Sequence, residues 1–171
     1  MGAVDWGLAE KVAVRSAGRE PFAESYHYES LSRDFLELTS LAEDQVAEAT
    51  GLRSLTGTAR ARVTDRQGWV RANIASFQRL LRPLTDRFGD RMASGPFAPV
   101  ARGIAGAEVG LMLGWMSTRV LGQYDMLVVE EERPEDQDVV YYVGPNVLAL
   151  EKHFAFPPRE FRLWLALHEV T

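Results

Sequence analysis

The stretch PPREFRLWLALHEVT, residues 157–171, decides how this chain is read. Pro157 and Pro158 suit a helix entrance, where the first amides have no intrahelical partner and a φ fixed near helical values costs nothing. Glu160 follows in the first turn, where a negative charge favours the exposed amides. Phe161, Leu163, Trp164, Leu165, Ala166, Leu167 and Val170 then surround the axis on nearly every side, so the helix is expected to lie inside a fold. Two adjacent ionisable residues, His168 and Glu169, sit within that apolar cylinder, and their burial is costly unless each finds a partner. The stretch stops at Thr171 with no glycine cap and a carboxylate at the negative end of the helix dipole, which reads as a cut.

A His-Glu pair on a helix has a defined chemical use when a second histidine follows four residues after the first. That spacing returns both imidazoles to one side, where they share a zinc ion. The glutamate lies about 100° round the axis, placed to orient and deprotonate a water that the metal acidifies. Here His168, Glu169, Val170 and Thr171 supply the first four positions of that H-E-x-x-H arrangement, and the fifth lies one residue past the quoted sequence. On spacing alone, a metal ligand and a satisfied core histidine both remain open.

Working outward, the 171 residues carry 19 basic and 24 acidic side chains, a net charge of −5, with 46% hydrophobic residues and no cysteine. The absence of cysteine removes disulfide scaffolds, thiolate nucleophiles and cysteine zinc knots together. The acidic balance argues against a nucleic-acid partner. Met1 to Leu8 carries Asp5 and Trp6 and has no basic region leading into an apolar run, so a secretory signal is not expected and a cytoplasmic location is. Val109 to Met116, the longest strongly apolar stretch, falls well short of the about 20 residues needed to span a bilayer, so no membrane partner is expected.

Helical spacing dominates the first two thirds. Tyr28, Leu31, Phe35, Leu38, Ala42, Val46 and Ala49 fall on one side of a helix that Gly51 closes. Val70, Ile74, Phe77, Leu81, Leu84 and Phe88 mark a second, with Asp65 as N-cap, Gly89 as stop and Pro83 as an expected kink or break. A third runs from about Val100 to Leu121 and ends at Gly122; its Gly106, Gly110 and Gly114 share one side and predict close helix packing. Beyond Asp125, Met126 to Glu130 and Val139 to Val143 read as strands of a hairpin whose acidic tip, Glu131 to Asp138, lacks the order of a calcium loop. Gly144 and Pro145 turn the chain into Asn146 to Leu150, read as a third strand. Gln123, Tyr124 and Asp125 read as a turn between helix and sheet, and His27 and His153 lack ligand spacing. The expectation is a predominantly helical α+β domain without repeats or an internal boundary: helices over about 1–122, a small sheet over about 123–150, and the start of another helix from about 158 to 171.

Several of these segments carry a family resemblance. Val4-Asp5-Trp6, Thr50-Gly51-Leu52, Asp65-Arg66, Gly68-Trp69-Val70, Asn73 and the run from Gly110 to Trp115 contribute to it. So, most specifically, do Arg119-Val120-Leu121-Gly122-Gln123-Tyr124-Asp125, Pro145-Asn146, and Phe161-Arg162-Leu163-Trp164 leading to His168-Glu169-Val170-Thr171. With these the chain resembles the zincin-like, zinc-dependent metalloproteases of high-GC Gram-positive bacteria and relatives, often labelled hydrolases associated with deazaflavin-coenzyme biosynthesis. The resemblance implies that His168 is the first zinc ligand and Glu169 the general base. It implies that the chain is the amino-terminal portion of one zincin-like domain, an incomplete fold whose second histidine and further ligand come from later sequence. By the same resemblance the longer protein takes a peptide or protein substrate, paired along a strand between Met126 and Leu150. The chain alone is then expected to be inactive and to hold no stoichiometric zinc, because one imidazole is short of a catalytic ligand set. The coenzyme label implies no bound deazaflavin, and no glycine-rich phosphate loop is evident. Exposed Trp164 and Leu167 would drive self-association of a truncated chain. The competing expectation is a non-catalytic helical scaffold or interaction module that keeps the zincin framework.

Overall fold

Asp5 opens the first helix by accepting the Leu8 amide at 2.9 Å, one of the donors that a helix start leaves without a partner. In chain order the elements are α1 (Trp6–Ser16), α2 (Tyr26–Thr50), β1 (Arg60–Thr64), α3 (Arg66–Met92), α4 (Ala98–Ser117), β2 (Gly122–Asp125), β3 (Val139–Val143), α5 (Gly144–Phe154) and α6 (Pro158–Val170). The computed structural model describes residues 4–22, 25–53, 59–92, 96–125 and 138–171. The fold is α+β and predominantly helical, with a small mixed sheet. The expected strand Met126 to Glu130 and most of the acidic tip, 131–137, lie outside the described residues. The chain divides into two compact units, one of residues 1–19 and 66–119, the other of residues 20–65 and 120–171.

The first unit is helical. Ala9 and Ala13 of α1 are fully buried, and they meet the glycine side of α4. A Cβ added at Gly106 would lie 2.4 Å from the Asp5 carbonyl oxygen, and one at Gly110 2.5 Å from that of Ala9. The glycine spacing therefore does what was expected of it: two backbones approach closer than any side chain permits. Two boundaries differ from expectation. Helix α3 continues through Pro83 and past Gly89 to Met92 as one helix. Helix α4 stops at Ser117, where Arg119 N donates to Met116 O, and the segment after it becomes extended.

The second unit holds the sheet, in the order β1-β3-β2, with β1 parallel and β2 antiparallel to β3. The predicted face of α2 delivers Leu31, Phe35, Leu38 and Ala42 to its core, and Gly51 caps that helix at φ 73°. There Phe35 stacks on Tyr142 with ring centroids 3.8 Å apart, and the Tyr142 hydroxyl and Thr39 Oγ1 share a buried hydrogen bond of 2.8 Å.

Three local expectations are corrected in this unit. Asn146 to Leu150 belongs to helix α5, because Pro145 falls in a first turn where its missing amide is harmless, and Val147 and Leu148 enter the core. Gln123 to Asp125 form strand β2 rather than a turn. Strand β1 falls in the stretch read as helical; its alternation of Arg60 and Arg62 with Ala61 and Val63 is a strand signal that was passed over.

Candidate active site

Helix α6 buries Phe161, Arg162, Leu165 and Ala166, while Leu163, Leu167 and Val170 are half-buried. Its other side is open: Trp164 is 57% exposed, and His168 is exposed. The apolar residues do surround the axis in sequence, but the helix lies on the surface of its unit with one face out. Phe154, Phe156, Phe161, Trp164 and His168 form a row of successive stacked neighbours with centroids 5.1 to 6.0 Å apart, and it ends with the His168 imidazole nearly parallel to the Trp164 indole at 9°. His168 therefore needs no buried partner, contrary to expectation; stacking fixes the plane of its ring while water reaches it.

Glu169 is on the inward side, half-buried. Loss of hydration pushes its carboxyl above the usual carboxylate range, and the neighbouring His168 opposes that shift more weakly. The side chain lies against β2: a Cβ added at Gly122 would be 2.6 Å from Glu169 Oε1 and 2.7 Å from both Cγ and Cδ. Strand β2 is held in turn by β3, with Gly122 opposite Tyr142 and Val143 N donating to Leu121 O at 2.8 Å. Burial raises the Tyr142 phenol above its ordinary range, and the charges of Glu169 and Glu43 raise it further, so Tyr142 stays neutral. Tyr124, on the same strand as Gly122, donates its hydroxyl to Asp138 Oδ1 at 3.4 Å.

The raised carboxyl has a consequence for stability. Glu169 binds a proton more tightly in the folded chain than in the unfolded one, so its contribution is fully present below the unfolded value, about 4.3. That contribution is lost as pH rises through the folded value. Glu169→Gln removes the penalty, so the variant is expected to melt above the parent at neutral pH and to converge with it in acid. Thermal denaturation across pH 3 to 8, on the order of that window, checks this, and a constant difference would contradict it.

The other polar cluster of this unit is structural. Arg162, 4% exposed, donates Nε to Glu151 Oε1 at 2.7 Å and Nη2 to Glu151 Oε2 at 2.8 Å, and Nη1 bonds Asp34. An open pocket of about 240 Å³ lined by Phe22, His27, Glu151, Lys152 and Arg162 adjoins it. Its most buried polar groups are already bonded to each other, so its size does not make it the chemical centre. His27 is exposed at the start of α2, and His153 packs edge-on against Phe154.

Among the described residues, no three His, Cys, Asp or Glu side chains meet as a metal-binding group. His168 has the right chemistry for one zinc ligand and the right exposure to reach a metal, but the residues present amount to part of a donor set. What the unit brings together is an accessible imidazole, a desolvated carboxylate one residue on, and a strand seated against that carboxylate.

The chain belongs to the zincin-like metallopeptidase family, whose model matches residues 4–171. Among solved structures it is similar to a protein of Chloroflexus aurantiacus described provisionally as a hydrolase with a novel fold, at 27% identity and a TM-score of 0.71. That match covers 97% of this chain and 50% of the other, so this chain spans about half the length of that structure. No curated protein matches it.

The sequence reading missed Gly122 as a member of the site. Its only signal was its place within the segment from Arg119 to Asp125 that carried the family resemblance, where it was read as a helix stop.

Proposed function

We propose that this chain supplies the first zinc ligand, His168, and the general base, Glu169, of a zinc-dependent peptidase. Sequence following Thr171 would contribute the second histidine and the remaining ligand. The observation that carries the reading is the pairing of an exposed His168 with a half-buried Glu169 on a helix of a chain whose family is metallopeptidase-like. The chain's length, about half that of the similar solved structure, supports the division of the ligand set.

On this reading an imidazole nitrogen of His168, whose ring plane Trp164 holds, would be the zinc donor that this chain supplies. Zinc, when bound, supplies Lewis acidity that activates water and polarises a peptide carbonyl. Glu169 takes up the proton lost by the attacking water at a carboxylate oxygen and returns it to the leaving amine. A carboxyl held above the usual range is better matched to that shuttling near neutral pH than a fully hydrated one. Strand β2, beside Glu169, offers the backbone direction along which an extended peptide would lie. A cytoplasmic site of action fits the cysteine-free composition.

The test begins with the codons after Thr171. Histidine at the next position supports the reading; an apolar residue there, or a stop, replaces it with a non-catalytic scaffold. The 171-residue chain alone is expected to be inactive, to keep far less than about one zinc after dialysis against a weak chelator, and to scatter light increasingly with concentration through exposed Trp164. One tightly held zinc per chain, or a monomer at every concentration, would count against these expectations.

A further inference from the structure

We infer that Gly122 is a positioning residue for Glu169, its bare Cα forming the seat on which the general-base side chain rests; this deepens the proposed function and rests on it. Gly122 lies in strand β2 and is not among the glycines with positive φ, which are Gly18 and Gly51 among the described residues. Nothing in its backbone conformation calls for glycine. A glycine inside a strand weakens it, since it loses more freedom on folding and offers no side chain to pack.

What calls for glycine is the neighbour. The space a Cβ would occupy at Gly122 is taken by Oε1, Cδ and Cγ of Glu169, at 2.6, 2.7 and 2.7 Å. Contact extends along the side chain, so a turn of the terminal carboxylate alone would not relieve an added methyl. The sheet side cannot yield either. Gly122 pairs with Tyr142, which is fully buried, stacked on Phe35 and hydrogen-bonded to Thr39. The movable partner is Glu169, which must swing away by about 1 Å to restore ordinary carbon contact. His168, on the open face against Trp164, is untouched by that movement. Gly122 thus sets where the Glu169 side chain stands relative to His168, acting through Glu169.

The test has two arms. In the 171-residue chain, crystal structures of the parent and Gly122→Ala locate the Glu169 side chain, and thermal melts are run in the parent and Glu169→Ala backgrounds. The expected result is Glu169 displaced from β2 with an unchanged or raised midpoint, since alanine suits a strand better and a flexible side chain gives way. In the protein extended past Thr171, Gly122→Ala is expected to lower kcat about 100-fold with KM and zinc content little changed, and to add almost nothing to Glu169→Gln. Glu169 unmoved, wild-type kcat, or a sharp fall in the midpoint in both backgrounds would overturn the inference, the last because the glycine would then serve the sheet itself. If the extended parent hydrolyses no peptide, the functional reading fails, while the crystallographic arm still decides whether Gly122 positions Glu169.

Discussion

Glu169→Gln in the extended protein is expected to cut peptide hydrolysis by about 10²- to 10⁴-fold while the zinc content stays at the parent level. Glutamine keeps the length and most of the hydrogen-bonding capacity of the side chain, so it rests against Gly122 much as glutamate does. It cannot accept the proton. The same substitution removes the desolvation penalty on the carboxylate, so lost turnover should accompany a more stable protein at neutral pH. That opposition separates a chemical role from a structural one, because a residue that mattered only for packing would lose both together. Kinetics, metal analysis and melting of one preparation check all three, and surviving turnover would exclude Glu169 as the base.

Arg162→Met is expected to cost about 3–5 kcal/mol, the largest loss of stability anticipated for any single change in the unit that carries the site. The guanidinium fork holds both oxygens of Glu151, and Glu151 is 7% exposed, so losing Arg162 strands a charge away from water. Asp34 can rehydrate, since 35% of its side chain is exposed. Arg162→Met combined with Glu151→Leu should recover most of the loss, because an apolar pair of similar volume leaves no charge to solvate. Urea denaturation of the single and double variants measures the coupling. A cost below about 1 kcal/mol for the single variant would show that the pair is solvated in solution.

How much of this was legible in the sequence differs from element to element. The α2 face and its cap could be read because Leu31, Phe35, Leu38 and Ala42 repeat at helical spacing and Gly51 ends the repeat. The close packing along α4 was equally open, since glycines four apart have few other uses in a helix. Helix α5 was misread because its short apolar run, Val147 to Leu150, fits strand and helix alike, and the proline before it signals a turn as readily as a first helical turn. Strand β1 was hidden because its alternation is short, with only Ala61 and Val63 packing against the core, and its partner β3 lies far along the chain. In the site, the residue types of His168 and Glu169 were plain, but their environments were not. Composition made the helix look enclosed, whereas the stacking of Trp164 on its neighbours lets one face meet water. Gly122 could not be assigned at all without its tertiary neighbour, because a glycine states only that a side chain is missing.

The parallel register of Arg60 to Thr64 against Val139 to Val143 bears on how the protein is made. A ribosome delivers both segments of the helical unit by residue 119, so that unit has all its parts while the other lacks its central strand. Strand β1 must wait, unpaired, until β3 emerges, and closing so long a loop is an entropic cost that slows this step. The part of the molecule that seats Glu169 thus gains its partners later in synthesis than the helical unit does, and a stop in translation soon after residue 119 would leave a nascent product with all of the helical unit and no seat for Glu169.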